Sequence, residues 1–278
     1  MPPKKVCRTV FQYNKYPIPA EDMRKLLDIA EDCRTVRNYV YNRFGGIGGL
    51  SKLYPGYTAQ NEMTGSGLRD RLGLPSVYFY LAVFDALGEI RGQWTRTKSK
   101  VWMLLGENEN LTEKEKHYLR FLLRVPNAFE AALNQRPVRL AKELHSRYVA
   151  LAEMVDTEKL HRYLCRQVRK YHVKPYTNSA DGFGAAAKAY KYGDHGIYLA
   201  SKEKRKRIFI PLTDRNQYES QIYIKLRPEE SGFTIQVPIG VRVRRHEDFN
   251  CRVGLSPGMM TMLTTDEGHT YGELLGKY

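Results

Sequence analysis

The chain has 278 residues, 42% of them hydrophobic, and its 45 Lys and Arg outnumber 30 Asp and Glu for a formal charge of +15. A chain this long can bury a substantial core, and so large a positive excess concentrates phosphates around it, so a polyanionic partner is the first expectation. Neither secretion, membrane insertion nor structural zinc is suggested, on three grounds. No run reaches the roughly eighteen apolar residues of a span, the start Met1-Pro2-Pro3-Lys4-Lys5 lacks an apolar signal core, and Cys7, Cys33, Cys165 and Cys251 are too scattered for a metal or disulfide framework.

Free thiols and no membrane partner point to the cytoplasm. Val6 to Tyr13 alternates as a strand does, and Pro17 and Pro19 break it. Ala20 to Phe44 reads as an amphipathic helix. Met23, Leu26, Leu27, Ala30, Cys33, Val36, Val40 and Phe44 recur at three-and-four spacing, with Arg24, Lys25, Arg34, Arg37 and Arg43 elsewhere. The run Gly45-Gly46-Ile47-Gly48-Gly49 follows a helix rather than a strand, so it is a turn and not a phosphate-binding loop. Leu50 to Arg71 holds Lys52, Tyr54, Tyr57, Thr58, Gln60 and Asn61, a polar surface able to meet base edges and phosphates.

Pro75 and Ser76 open a helix to about Lys100, with Val77, Leu81, Phe84, Leu87, Gly88, Arg91 and Trp94 along it. Trp94 is assigned to the core, and the basic end Arg91, Arg96, Lys98 and Lys100 to phosphate. Thr112-Glu113-Lys114-Glu115 has the pattern of a capped helix start, and Leu140 to Val155 and Thr157 to Tyr171 read as two more helices. In the last of these, Arg162, Arg166, Arg169 and Lys170 share a face, a clamp for the backbone of an RNA helix or heteroduplex. His161 and His172 have no companions at ligand spacing, so no metal is assigned to them.

From Gly196 the period becomes that of strands: Gly196 to Ala200, Arg207 to Leu212, Gln221 to Leu226, Phe233 to Ile239 and Gly240 to Val243, spaced as in a meander or small barrel. Lys202 to Arg207 and Arg242, Arg244 and Arg245 are expected to line one surface. Twenty Tyr and ten Phe, many beside cations as in Tyr13-Asn14-Lys15-Tyr16 and Tyr190-Lys191-Tyr192, offer rings on which single-stranded bases stack. No Ser, His or carboxylate pairing has hydrolytic spacing, and Asp248 and Asp266 read as caps and turn formers.

Residues 251–278, CRVGLSPGMMTMLTTDEGHTYGELLGKY, show an apolar run ending in Gly254-Leu255-Ser256-Pro257-Gly258 and a second run from Met259 to Thr265. A turn at Asp266-Glu267-Gly268 and a returning strand from His269 follow. This resembles the first hairpin of the RuvC-like nuclease domain in the TnpB family, transposon-encoded relatives of compact type V CRISPR effectors. The order VCRTVFQYNKYPI, AEDCRTVRNYVYNRF, LPSVYFYLAVFDALGEIRGQW and then the strand-rich block Gly196 to Val243 extends the resemblance over nearly the whole chain.

The resemblance implies an α+β fold in which a wedge-like antiparallel β barrel carries an inserted helical recognition lobe and is followed by a RuvC-like β-hairpin. The expected bounds are 1–16 for the first wedge strand, 17–180 for the lobe, 181–249 for the rest of the wedge domain, and 250–278 for an incomplete nuclease start. The implied partners are a guide RNA transcribed from the element and double-stranded target DNA. Tyr57, Gln60, Asn61, Ser76 and Tyr78 are the expected readers of a short DNA motif. Lys4, Lys5, Arg8, Tyr13, Lys15, Arg34, Lys98, Lys100, Arg162, Arg166, Arg169, Lys170, Lys204, Arg205, Arg207, Arg242 and Arg244 are the expected RNA or phosphate contacts.

The family's first metal-binding Asp corresponds to Ser256 here. Mg²⁺ is a hard dication that wants charged oxygen ligands, and a hydroxyl is a poor substitute. The family's later Glu and Asp have no counterpart before Tyr278. No catalytic residue, metal or cofactor is therefore assigned to this chain, and Mg²⁺ enters only if a second protein chain completes the nuclease. The expected function is guide-RNA-dependent DNA binding without cleavage. The alternatives are a fragment or subunit of an active Mg²⁺-dependent endonuclease, or a decayed transposon product that keeps RNA affinity.

Overall fold

The computed structural model describes residues 4–53, 57–243, 253–256 and 263–272. They fall into two compact units, Thr9–Pro238 and the residues that flank it on either side. Strand β1 (Lys4–Tyr13) leads through Pro17 and Pro19 into helix α1 (Ala20–Phe44), where Glu21 and Asp22 occupy the first turn and suit the positive end of the helix dipole. Its buried stripe is Met23, Leu26, Ile29, Ala30, Cys33, Val36, Val40 and Phe44, joined by Tyr41. Ile29 takes the core position expected of Leu27, which is only half-buried.

A 3-10 turn at Ile47–Lys52 follows, and Gly49 is required there because a Cβ would stand 2.2 Å from the Phe44 carbonyl oxygen. The stretch expected to be an open polar surface is instead two short helices, α2 (Tyr57–Gly65) and α3 (Leu68–Leu72), pinned by Ala59, Met63 and Leu68 in the core. Helix α4 (Ser76–Glu107) then packs along α1. Its buried stripe runs through Phe79, Val83, Ala86, Leu87, Ile90, Trp94, Val101 and Leu105, so Phe84 lies off the core side and is 42% exposed.

Thr112 and Glu115 form the reciprocal capping box that starts α5 (Glu113–Arg124). Helices α6 (Pro126–Leu133), α7 (Lys142–Ala152) and α8 (Thr157–Tyr171) complete the helical part, α6 beginning on Pro126 at its first position.

The remaining strands of this part are β2 (Gly182–Ala185), β3 (Tyr190–Gly193), β4 (Gly196–Ala200), β5 (Arg207–Pro211), β6 (Ile222–Arg227) and β7 (Gly232–Val243). One sheet has the order β1-β7-β6-β2 and the other β3-β4-β5. Among the described residues, α1 to α8 and then β2 to β6 lie in the chain between the sheet neighbours β1 and β7, with the helices directly after β1. The ends of β1 and β5 meet at an antiparallel bridge between Asn14 and Leu212, with Lys15 N–H donating to the Pro211 carbonyl at 2.8 Å and Thr213 N–H to that of Tyr13 at 3.0 Å. Neither sheet closes into a barrel. The architecture is α+β with antiparallel sheets.

Two of the tyrosines expected to stack bases are structural. Tyr190 is buried and donates its hydroxyl to the Tyr218 carbonyl at 2.9 Å, and Tyr192 donates to Gln12 Oε1 at 2.6 Å. The second unit contains a small sheet in the order β10-β9-β8, from β8 (Leu255–Ser256), β9 (Leu263–Thr265) and β10 (Thr270–Tyr271). Gly268, at φ 83°, supplies the left-handed position of the turn joining β9 to β10. Among the described residues no helix is long and apolar enough to cross a membrane.

Candidate nucleic-acid interface

Helix α8 starts on Asp156, whose side chain accepts from the Lys159 N–H at 2.9 Å, and anchors itself through Leu160, Leu164, Cys165 and Val168. Those four fix its rotation, so Arg162, Arg166, Arg169 and Lys170 are all exposed. Arg162, Arg166, Arg169, Lys159 and Gln135 border a groove of about 460 Å³, floored by Cys165. Gln135 sits just past α6 in the left-handed region, at φ 53°. Among the described residues the only ion pair these cations make is that of Arg162 with Glu158 at 3.7 Å, both side chains largely exposed, while Asp156 and Glu115 lie near Lys159.

Like charges four apart on a helix repel by about 0.2–0.5 kcal/mol per pair, a cost that an anionic partner removes. Such a groove focuses positive potential onto a passing phosphate backbone. Lys159 and Gln135 were not among the expected contacts. The three-residue step from Lys159 to Arg162 was a usable signal, whereas Gln135 arrives only through the packing of α6 on α8.

The patch continues to Tyr171, whose ring has the Lys170 ammonium 5.3 Å and the Lys100 ammonium 5.9 Å from its centroid. Lys98 lies elsewhere. It is half-buried, its ammonium sits 4.4 Å over the Phe129 ring, and burial pushes its pKa below the usual lysine range. Arg34 is committed to Glu31, and that bond is the main reason the Glu31 carboxyl is held below its ordinary pKa.

The loop between β4 and β5 borders a depression of about 580 Å³ together with Arg69 and Asp70. Lys202 is neutralised by Asp32 of α1 at 2.6 Å and Lys206 by Glu203 at 2.5 Å. Arg207 donates to the Tyr198 carbonyl at 3.2 Å. Lys204 and Arg205 are exposed with no ion pair among the described residues.

Tyr13 and Lys15 are exposed at the end of β1, with Lys15 5.3 Å from the Tyr16 ring, itself 57% exposed. In the flanking unit Arg8 and Arg242 are exposed. Lys4 and Lys5 contribute backbone to β1, and Arg244 and Arg245 lie outside the described residues.

Of the expected DNA readers, Asn61 on α2 is exposed and Gln60 half-buried, while Ser76 is exposed at the first turn of α4. Tyr57 opens α2, and its side chain lies outside the described set. Tyr78 is fully buried, donates to the Ala200 carbonyl at 2.8 Å and meets Phe183 edge-on at 5.3 Å. Burial raises its hydroxyl pKa, and the ring ties α4 to the sheet instead of facing DNA.

Ser256 pairs with Thr264 across the β8–β9 ladder and is exposed. Asp266 and Glu267 lie in the turn between β9 and β10, and the Asp266 N–H donates to the Gly254 carbonyl at 2.9 Å. Among the described residues no three His, Cys, Asp or Glu lie together as a metal site. Among the described residues, the Ser256 hydroxyl and the turn carboxylates Asp266 and Glu267 do not gather the several charged oxygens that Mg²⁺ needs for two-metal cleavage. No protein-family model matches the chain, and no curated protein sequence matches it.

Proposed function

We propose that this chain binds a folded guide RNA in the cytoplasm and, through it, engages double-stranded target DNA, as the resemblance to the TnpB family implies, without a complete nuclease site of its own. The observation that carries the reading is the α8 groove, where Lys159, Arg162, Arg166 and Arg169 border one channel and, among the described residues, only Arg162 forms an ion pair. Phosphate contacts of that kind dominate affinity for nucleic acid and leave sequence to be supplied by base pairing with the guide. The run of eight α-helices between β1 and the remaining strands, with β7 returning to pair beside β1, supports a recognition lobe set into a wedge-like β domain whose halves are the two sheets.

In this reading the α8 groove and the Lys100, Lys170 and Tyr171 patch grip RNA. Lys204 and Arg205 hold a second stretch of backbone, and Asn61, Gln60 and Ser76 face the DNA motif. Ser256 in place of a carboxylate leaves cleavage to a second protein chain, if one supplies the acidic ligands. The test is recovery of bound RNA. The chain, purified without nuclease from cells transcribing its own locus, should carry a discrete RNA species that salt displaces. A protein that carries none and ignores polynucleotides at physiological ionic strength overturns the reading, and double-strand cutting by this chain alone in Mg²⁺ overturns its non-cleaving part.

A further inference from the structure

We propose that the outer face of the sheet β3-β4-β5 is a platform on which unpaired bases of a single-stranded RNA stack. Its strands alternate: Tyr190, Ile197, Leu199, Ile208 and Ile210 are buried, so Lys191, Tyr198, Arg207 and Phe209 stand on the opposite side. The register sets Lys191 opposite Tyr198 and Tyr198 opposite Phe209, one row straight across strands about 4.8 Å apart. The next row is Gly193, Gly196 and Pro211.

The glycine row is what lets the rings lie down. A Cβ on Gly196 would stand 2.6 Å from Phe209 Cε2, and one on Gly193 3.4 Å from Tyr198 Cε2. Each ring therefore leans over bare backbone instead of standing upright from the sheet. The two centroids are 4.6 Å apart and the planes 35° from parallel. Phe209 is 36% exposed and Tyr198 half-buried, so both keep surface open to solvent. The Tyr198 hydroxyl donates to the Asp194 carboxylate at 2.5 Å, and its carbonyl accepts from Arg207 at 3.2 Å, which fixes the ring before any ligand arrives.

Reclining rings beside cations suit bases free of pairing, because every base has a π-face and a duplex hides its own inside the stack. Lys191 and Arg207 are exposed and in no ion pair among the described residues, and Lys204 and Arg205 lie in the loop that leads to Arg207. These cations flank the rings, where the phosphates of a strand with two stacked bases pass. Covering a glycine is the other use of such a ring. The choice of RNA as the occupant rests on the reading above, whereas the platform itself does not need the α8 groove.

An oligouridine of about eight nucleotides is a suitable probe. It should bind the unaltered chain, and Phe209→Leu and Tyr198→Leu, which keep an apolar cover on the glycines, should each weaken it by about five- to a hundred-fold, the worth of one stacked base. The slope of log K against log salt should stay the same in both, since stacking neutralises no phosphate, whereas Lys191→Gln should reduce it by about 0.7. A blunt RNA duplex of the same length should bind the ring variants as it binds the unaltered chain. Ultraviolet crosslinking of the unaltered chain to oligouridine should place adducts on Tyr198 or Phe209.

No binding of oligouridine, ring variants that lower only the unfolding midpoint, adducts confined to other segments, or tighter binding of oligothymidine each overturns the proposal. A chain that carries RNA from cells while the ring variants bind oligouridine unchanged defeats the platform alone. A chain that carries none and still binds oligouridine through these rings defeats the guide-RNA reading alone.

Discussion

The imidazole of His172 lies flat against the indole of Trp94, ring centroids 3.6 Å apart and planes 14° from parallel. His172 Nε2 is 2.7 Å from the Gly45 carbonyl, which only accepts, so that nitrogen carries a proton. Nδ1 is 3.0 Å from Thr97 Oγ1, whose one proton also faces the Gln93 carbonyl at 2.9 Å. One side chain thus ties the end of α1, the middle of α4 and the C-cap of α8. Burial first, and Lys174 in addition, hold the His172 pKa below its ordinary value, against the opposing pull of the Gly45 bond.

An unfolded imidazole titrates near 6.5 and takes its proton before the folded one does, so this contribution is whole above that pH and is lost as pH falls through it. His161, also depressed by burial, acts in the same direction. Thermal unfolding should show a midpoint that drops between pH 7.5 and 5.5. His172→Phe should lower the midpoint at pH 7.5 and flatten the slope, and parallel slopes for the two proteins would reject the assignment.

The α8 stripe gives a second expectation. Replacing Arg162, Arg166 and Arg169 by Ala should leave the unfolding midpoint nearly unchanged, because all three are exposed and the one ion pair, Arg162 with Glu158, is a surface pair. RNA affinity should fall, and the slope of log K against log salt should shrink by roughly 2 to 3, at about 0.7 to 0.9 per phosphate contact. Filter binding across a salt series measures it, and an unchanged slope removes α8 from the interface.

Much of this fold is legible in the sequence where spacing alone decides. The α1 stripe, the Thr112 capping box and the Arg162, Arg166 and Arg169 face are local patterns, and they appear where expected. Helix α2 was hidden because its two core anchors, Ala59 and Met63, sit among polar residues, and strand β2 because Gly-Phe-Gly-Ala has no alternation. That strand is buried on both faces, and a Cβ on Gly184 would stand 2.8 Å from Leu81 Cδ2, so the glycine reflects the approach of α4.

The candidate interface was half legible for the same reason. Nothing local says that Arg207 will spend a donor on the Tyr198 carbonyl, that Asp32 will meet Lys202 from 170 residues away, or that Lys98 will turn inward while Lys100 stays out.

A third prediction separates two glycines of one turn. A Cβ at Gly49 would stand 2.2 Å from the Phe44 carbonyl oxygen, and backbone at the end of a packed helix does not yield. Gly48 has nothing within 4 Å. Gly49→Ala should therefore cost about 1–3 kcal/mol, as overpacking does, while Gly48→Ala should be neutral or slightly stabilising through the unfolded chain. Denaturant titration of both variants checks it, and equal midpoints would mean that the turn relaxes.

The last prediction divides the expected DNA readers by burial. Tyr78→Phe removes the hydroxyl that donates to the Ala200 carbonyl at 2.8 Å while keeping the edge-on contact with Phe183. It should cost about 1 kcal/mol of stability, the net worth of one such hydrogen bond, and leave recognition of any DNA motif unchanged, because no part of the ring reaches solvent. Asn61→Ala should do the reverse: the side chain is exposed on α2, so stability holds while binding to the motif weakens. A selection from randomised DNA flanking a guide-matched target, run with both variants, reads the motif directly. If Tyr78→Phe relaxed the motif and Asn61→Ala did not, burial would be the wrong criterion for this surface and α2 would have no part in reading DNA.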